Sequence, residues 1–176
     1  MAVPIKTVAL SVAGTFLVLA GGAAAYIELG VMNVSALNQD NAIMAAILHE
    51  TSERSVAARI SENPVPDGLL DKPELIKAGA QLYARNCAFC HSAPGREPGP
   101  QGKGENPRPP QGFFRAGRHV NTQEVFWYIK NGVKMTGMPS FVPTMDEQKM
   151  WSISAFLTKA PGMTPSDYAA LSAATP

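Results

Sequence analysis

Two cysteines and a histidine within five residues are the part of this sequence best suited to chemistry: Cys87-Ala88-Phe89-Cys90-His91. Two thiols three residues apart on a helical turn can reach the two vinyl groups of one haem, and the histidine that follows directs its imidazole at the iron. A redox dithiol would need a βαβ setting, and a structural zinc site normally takes four protein ligands. Because the chain has only these two cysteines, the pattern predicts one covalently attached haem c with His91 as an iron ligand.

A second iron ligand is expected further along the chain, and Met138 is the preferred candidate. Gly137 and Pro139 flank it and predict an irregular loop, which can hold a thioether against a metal. Met135, His119 and an open site remain as alternatives. Ligation by histidine and methionine raises the reduction potential and fills the coordination sphere, which favours electron transfer over ligand binding. The remaining methionines after the motif are expected to pack inside the protein: Met145, Met150 and Met163.

The elements that position these residues are predicted to be helices, since no stretch shows the alternation of a strand. The segment 92–112 is rich in glycine and proline and predicts a loop that wraps one edge of the haem. The first predicted helix spans 73–87 and follows a cap formed by Asp71 and Glu74, and the second spans 121–131 and starts at Asn121 with Glu124. A third helix is predicted after a capping box of Thr144 and Glu147. A short fourth helix is predicted to begin at Thr164 and Pro165.

Residues 71–160 resemble the class I cytochrome c family. Gly79 and Tyr83 stand eight and four residues before Cys87, where that family has a glycine and an aromatic residue that pack against its C-terminal helix. The run 132–141 looks like its methionine loop. The resemblance implies an all-α, class I cytochrome c-like haem domain. It also implies a bond from the histidine Nδ1 to a loop proline carbonyl, for which the candidates are Pro98, Pro100, Pro107, Pro109 and Pro110.

The N-terminal segment carries no charge from residue 7 to residue 27. A helix of about 20 apolar residues is long enough to cross the bilayer core. Lys6 precedes the run and Glu28 follows it, which favours an N-terminus inside and a haem domain outside. The three alanines at 23–25 leave a cleaved signal peptide as the alternative, and both interpretations export the rest of the chain.

An amphipathic helix is predicted over about 41–61, because apolar residues recur at helical spacing: Ile43, Ile47, Val56 and Ile60. Asp40 or Asn41 is the expected cap. Two interpretations remain open: a spacer that lies on the haem domain or on the membrane, and a docking helix for another membrane subunit. The predicted domains are 1–28, a transmembrane anchor; 29–70, the spacer helix and a proline-rich linker; and 71–176, a monohaem cytochrome c domain.

The segment 133–171 looks like a group of membrane-anchored monohaem cytochromes of bacteria. This resemblance implies a single-pass protein of the bacterial inner membrane with its haem domain in the periplasm. It would pass one electron at a time between redox donor and acceptor proteins, or serve as a cytochrome subunit of a respiratory or dehydrogenase complex in the membrane. We therefore expect an electron carrier and not an enzyme. The alternative is a haem-based ligand sensor or haem enzyme with an open sixth position.

Charge bears on the choice of partners. A net charge of +1 over 176 residues gives no electrostatic support for nucleic-acid binding. Residues 71–176 hold 12 basic and 8 acidic residues, a formal +4, which either steers the domain to acidic partner surfaces or forms a solvated face. Within this segment, Arg108 and Trp127 are expected to contact the haem propionates.

Overall fold

The computed structural model describes residues 4–173. The first three residues of the predicted anchor and the last three of the predicted haem domain lie outside this range. Within it every regular element is helical, apart from an isolated bridge between Ala93 and Arg96, so the predicted all-α fold is confirmed. The helices are α1 (Ile5–Glu28), α2 (Ala42–Ala57), α3 (Pro73–Asn86), α4 (Ala88–His91), α5 (Pro100–Gly104), α6 (Thr122–Asn131), α7 (Glu147–Lys159) and α8 (Pro165–Ser172), with short 3-10 turns at Ile60–Glu62 and Leu69–Asp71.

The chain separates into two compact units, Met1–Asn38 and Gln39–Pro176. The first unit contains α1, whose 24 residues extend over roughly 36 Å at the rise of an α-helix. None of its side chains is buried, and large apolar residues such as Leu10 and Phe16 are exposed. Helix α1 is therefore long and apolar enough to cross a membrane.

The core of the second unit lies where α3 and α6 pack against α7. At Gly79 of α3, a Cβ atom would overlap the carbonyl oxygen of Ser152 and lie 2.9 Å from the Cβ of Phe156, so the two helices approach as closely as only glycine permits. Tyr83 lies one turn further along α3 and is buried, with its ring centroid 5.5 Å from that of Phe156. Both residues therefore pack against α7, which is the arrangement that the family resemblance implies.

Helix α6 covers the other side of α7. The rings of Phe126 and Trp151 stack with their centroids 3.7 Å apart and their planes 7° from parallel. Ile129, one turn after Phe126, is also buried. The contact fixes α6, and the loop that follows it, relative to the core.

Several predicted helix starts are confirmed. Asn41 caps α2 by accepting a hydrogen bond from the backbone N–H of Met44. Asn121 caps α6 in the same way, and Thr164 with Asp167 forms a complete capping box at α8. These are positions where a short polar side chain can satisfy a free N–H of the first helical turn.

Two predicted caps are wrong. Helix α7 is capped by Asp146, whose side chain accepts a hydrogen bond from the N–H of Lys149, whereas the Thr144 hydroxyl donates to the Phe141 carbonyl instead. At α3 the N-cap position belongs to Lys72, which makes no side-chain cap, so Asp71 does not serve there. Pro73 begins that helix without a cap, since its ring presets the required φ and it has no N–H to satisfy.

Helix α2 is shorter than predicted and differs in its surroundings from one end to the other. It ends at Ala57, and the chain continues into the turn at Ile60–Glu62. Val56 is 3% exposed on the side facing α6, whereas Ile43 is 75% and Ile47 is 55% exposed. The C-terminal end of α2 thus packs on the rest of the second unit, whereas its apolar N-terminal end is exposed.

Candidate functional site

The two cysteines and the histidine of the motif share one helical turn. Cys87 stands immediately before α4, and its carbonyl oxygen accepts hydrogen bonds from the N–H groups of Cys90 and His91, at 3.1 and 2.9 Å. Ala88 is fully buried, whereas Phe89 is 39% exposed, so the turn has an inner and an outer side. Both cysteines are free thiols. The three side chains therefore project from a single short element that the core holds in place.

The imidazole of His91 is oriented by a backbone carbonyl. Its Nδ1 atom lies 3.0 Å from the oxygen of Pro110, which is the proline that the sequence left unidentified. Because a carbonyl oxygen can only accept, Nδ1 carries the hydrogen and Nε2 keeps a free lone pair. Burial lowers the pKa of His91 below its ordinary value, and the bond to Pro110 only partly opposes this. A neutral imidazole of fixed tautomer is the form that binds a metal.

The thiols differ from those of redox dithiols. Burial raises the pKa of Cys87 to about 12, with a smaller contribution from Cys90. Burial also raises the pKa of Cys90, followed by its hydrogen bond to Glu105. Reactive redox cysteines are found where the surroundings lower the pKa. Both thiols are protonated at neutral pH, so they can supply the S–H groups that thioether formation consumes.

The predicted loop 92–112 folds back on α4 and contains the short helix α5, which was not predicted. The N–H of Gly99 donates to the carbonyl of Phe89 at 2.7 Å, and the side-chain amide of Gln111 donates to the carbonyl of Cys90 at 2.9 Å. A Cβ atom at Gly102 would lie 2.6 Å from that same carbonyl oxygen. The segment therefore encloses the outer side of the motif and brings Pro110 to the histidine.

Tyr83 connects the core to the end of the motif. Its hydroxyl donates to the carbonyl oxygen of Ser92 at 2.8 Å. Ser92 has a φ of 64°, a left-handed value that is rare for residues other than glycine. The chain turns sharply directly after His91, and the buried tyrosine stabilises that turn.

The methionine candidates lie in different environments. Met138 is half-buried and packs against the hydrophobic core, and its carbonyl accepts a hydrogen bond from the N–H of Val133 at 3.1 Å. Met135 is 85% exposed with a φ of 60°, and His119 is also exposed. Within this loop the structure directs one thioether inwards and the other into solvent.

Glu105 joins the motif to the methionine loop. Its Oε1 atom lies 3.5 Å from Cys90 Sγ, and its carboxyl group packs on Gly137, in the space that a Cβ atom would take there. A single side chain thus spans the distance from an attachment sulfur to the residue before Met138. The sequence carries no signal for this contact, because a lone glutamate in a glycine- and proline-rich loop resembles any solvated charge.

Arg108 and Trp127, the two predicted contacts of the haem propionates, lie on different elements. Arg108 is exposed and lies two residues before Pro110. Trp127 is half-buried on α6 and lines an open cleft of about 480 Å³ beside the turn at Ile60–Glu62. Their contact with a propionate stays a prediction. The cleft is lined by Arg59, Glu62, Asn63, Trp127, Lys130 and Asn131.

The donor set fits haem c. Two protonated thiols stand on one turn, the neutral imidazole beside them has a free Nε2, and Glu105 shows that the methionine loop reaches the same place. Residues 74–157 match the family model of the cbb3-type cytochrome c oxidase subunit III. No curated protein and no solved structure matches the chain. The motif, its geometry and the family match together show that this chain carries a c-type cytochrome domain, whose general function is electron transfer through covalently bound haem c.

Proposed function

We propose that this protein is a one-electron carrier with a single haem c attached to Cys87 and Cys90 and ligated by His91 and Met138. The observation that carries the proposal is the orientation of His91 on the turn Ala88–His91, where the Pro110 carbonyl holds Nδ1 and leaves Nε2 free. The packing of Met138 against the core supports it as the second ligand. Filled axial positions favour electron transfer over ligand binding, which distinguishes this function from sensing or haem catalysis.

The residues of the site have separate tasks. Each thiol would add across one vinyl group, its sulfur bonding to one carbon and its hydrogen passing to the other, so that the addition is redox-neutral. His91 binds through Nε2, and the Pro110 carbonyl holds its orientation. Haem c supplies the reversible one-electron reduction of its iron. Because α4 is fixed by the core and by the loop 92–112, electron transfer needs little rearrangement of the protein.

We also propose that α1 is a single-pass anchor that keeps the haem domain on the periplasmic side of a bacterial inner membrane. Its length, its exposed apolar surface and the sequence order of Lys6 and Glu28 support this orientation. Confinement to a membrane raises the effective concentration of redox partners. The match to a subunit of cbb3-type oxidases supports a place beside a larger membrane oxidoreductase, either as its subunit or as its carrier.

The proposal is tested by covalent attachment. We would express the full chain, with a haem-attachment system, as wild type, Cys87→Ala, Cys90→Ala and the double variant, and stain haem on denaturing gels. Wild type should retain one haem per chain and take up one electron in a reductive titration. Each single variant should retain haem through the remaining thioether, and the double variant should lose it. Haem that stays with the denatured double variant would refute attachment at these thiols.

A further inference from the structure

One acidic side chain lies beside the proposed haem site and takes no part in attachment or ligation. Glu105 directly follows α5 and is half-buried. Its Oε1 atom lies 3.5 Å from Cys90 Sγ, and its carboxyl group packs on the backbone of Gly137. A carboxyl group is thus held between an attachment sulfur and the residue before the proposed ligand Met138.

No basic side chain in the described part of the chain forms a salt bridge with Glu105. The salt bridges within residues 4–173 join four other pairs of residues. The Cys90 thiol is the hydrogen-bond donor placed against the carboxyl group, and its hydrogen is lost when the sulfur becomes a thioether. A half-buried charge without a counter-ion is screened less by water and salt than an exposed one. Its effect on the adjacent redox centre should therefore be measurable.

We propose that the carboxylate of Glu105 lowers the reduction potential of the haem by stabilising the oxidised form. The inference rests on the proposed function, because it requires haem attached at Cys90. Oxidation removes one electron and leaves the centre one unit more positive, so a nearby negative charge favours the oxidised form. Ligation by histidine and methionine raises the potential, and Glu105 acts in the opposite direction.

Two substitutions of Glu105 separate a role of its charge from a role of its shape. Glutamine has nearly the shape of glutamate and can pack on Gly137 in the same way, but it carries no charge. Leucine removes the charge with a different shape. Glu97 provides a matched control, because it is an acidic and exposed residue of the same 92–112 segment and forms no hydrogen bond or ion pair with the motif within residues 4–173.

The test is a redox titration of the full-length, haem-loaded protein as wild type, Glu105→Gln, Glu105→Leu and Glu97→Gln. Both Glu105 variants should have a higher midpoint potential than wild type, and Glu97→Gln should match wild type. Unchanged potentials in the Glu105 variants would overturn the proposal. An equal rise in Glu97→Gln would overturn it as well, since any acidic residue would then have the same effect.

Carbon monoxide binding separates this proposal from the proposed function. If reduced Glu105→Gln bound carbon monoxide while wild type did not, the side chain would be holding the methionine loop closed, and the role of its charge would be overturned. Loss of haem from both Glu105 variants would also overturn the role of the charge, because the side chain would then be needed for the structure of the site. Binding by wild type would refute ligation by Met138, whereas the comparison of potentials would still decide the role of Glu105.

Discussion

Met135 and Met138 lie three residues apart in one loop, but their side chains have different environments. A left-handed backbone at Met135 turns its thioether into solvent, where it is 85% exposed. Met138 packs on the core from a loop that the N–H of Val133 and the hydroxyl of Thr136 hold closed. Only the second environment suits a ligand, because a thioether binds iron weakly and depends on the protein to hold it in position.

Substitution of these methionines therefore has unequal effects. Met138→Leu should lower the midpoint potential and allow reduced protein to bind carbon monoxide, because the proposed thioether ligand would be gone. Its effect on the free energy of unfolding should stay below about 1.5 kcal/mol, since the two side chains are similar in volume. Redox titration and optical spectra measure the first two effects. Met135→Leu is the matched control, and equal behaviour of the two variants would contradict the assignment of Met138.

At this scale the sequence predicts chemistry better than it predicts supporting contacts. The spacing of Cys87, Cys90 and His91 indicates haem attachment without any structure, because one helical turn sets their geometry. The sequence does not distinguish Pro110 from the other four candidate prolines, and it carries no signal for the contacts of Glu105. Both depend on the path of the 92–112 segment, which is decided by long-range packing and not by local pattern.

Among the helices, the crossing of α3 and α7 positions the motif, because α3 leads directly into Cys87. The closest point of that crossing is Gly79 against Ser152. Gly79→Ala should lower the free energy of unfolding by about 1–3 kcal/mol, because a methyl group must displace backbone that has no room to move. Thermal or denaturant unfolding of the haem-loaded protein measures the change.

Gly104→Ala is a suitable control for that substitution. A Cβ atom at Gly104 meets nothing within 4 Å, so we expect a change within about 0.5 kcal/mol. A Gly79→Ala protein as stable as this control would contradict the account of the crossing.

Helix starts were predictable where one polar side chain decides them and unpredictable where two compete. Asn121 and Thr164 act as expected because each has a single helix start within reach. Thr144 and Asp146 both precede α7, and the shorter path from Asp146 to the N–H of Lys149 decides the outcome. Sequence patterns do not show which of two neighbouring polar residues will cap a helix, because the two choices differ only in the residue at which the first turn begins.

At the level of the whole molecule, the proposed anchor α1 would determine on which side of the membrane the haem domain works. Its 24 residues expose apolar side chains on every side, which water does not favour and a bilayer does. If the proposed orientation is right, protease added to intact cells should spare the haem domain, and protease added after opening of the outer membrane should degrade it. Immunoblots against the C-terminal part of the chain report the result. Protection until the inner membrane is dissolved would place the haem domain in the cytoplasm.

The central claim is that one covalent haem has both axial positions held by this chain. The most direct test is an optical spectrum of the purified, reduced wild-type protein before and after addition of carbon monoxide. We predict a c-type haem spectrum that carbon monoxide leaves unchanged, because the proposed Met138 ligand would keep the sixth position filled. A prompt spectral shift would show an open or labile position, and it would contradict the account in favour of a haem-based sensor or enzyme.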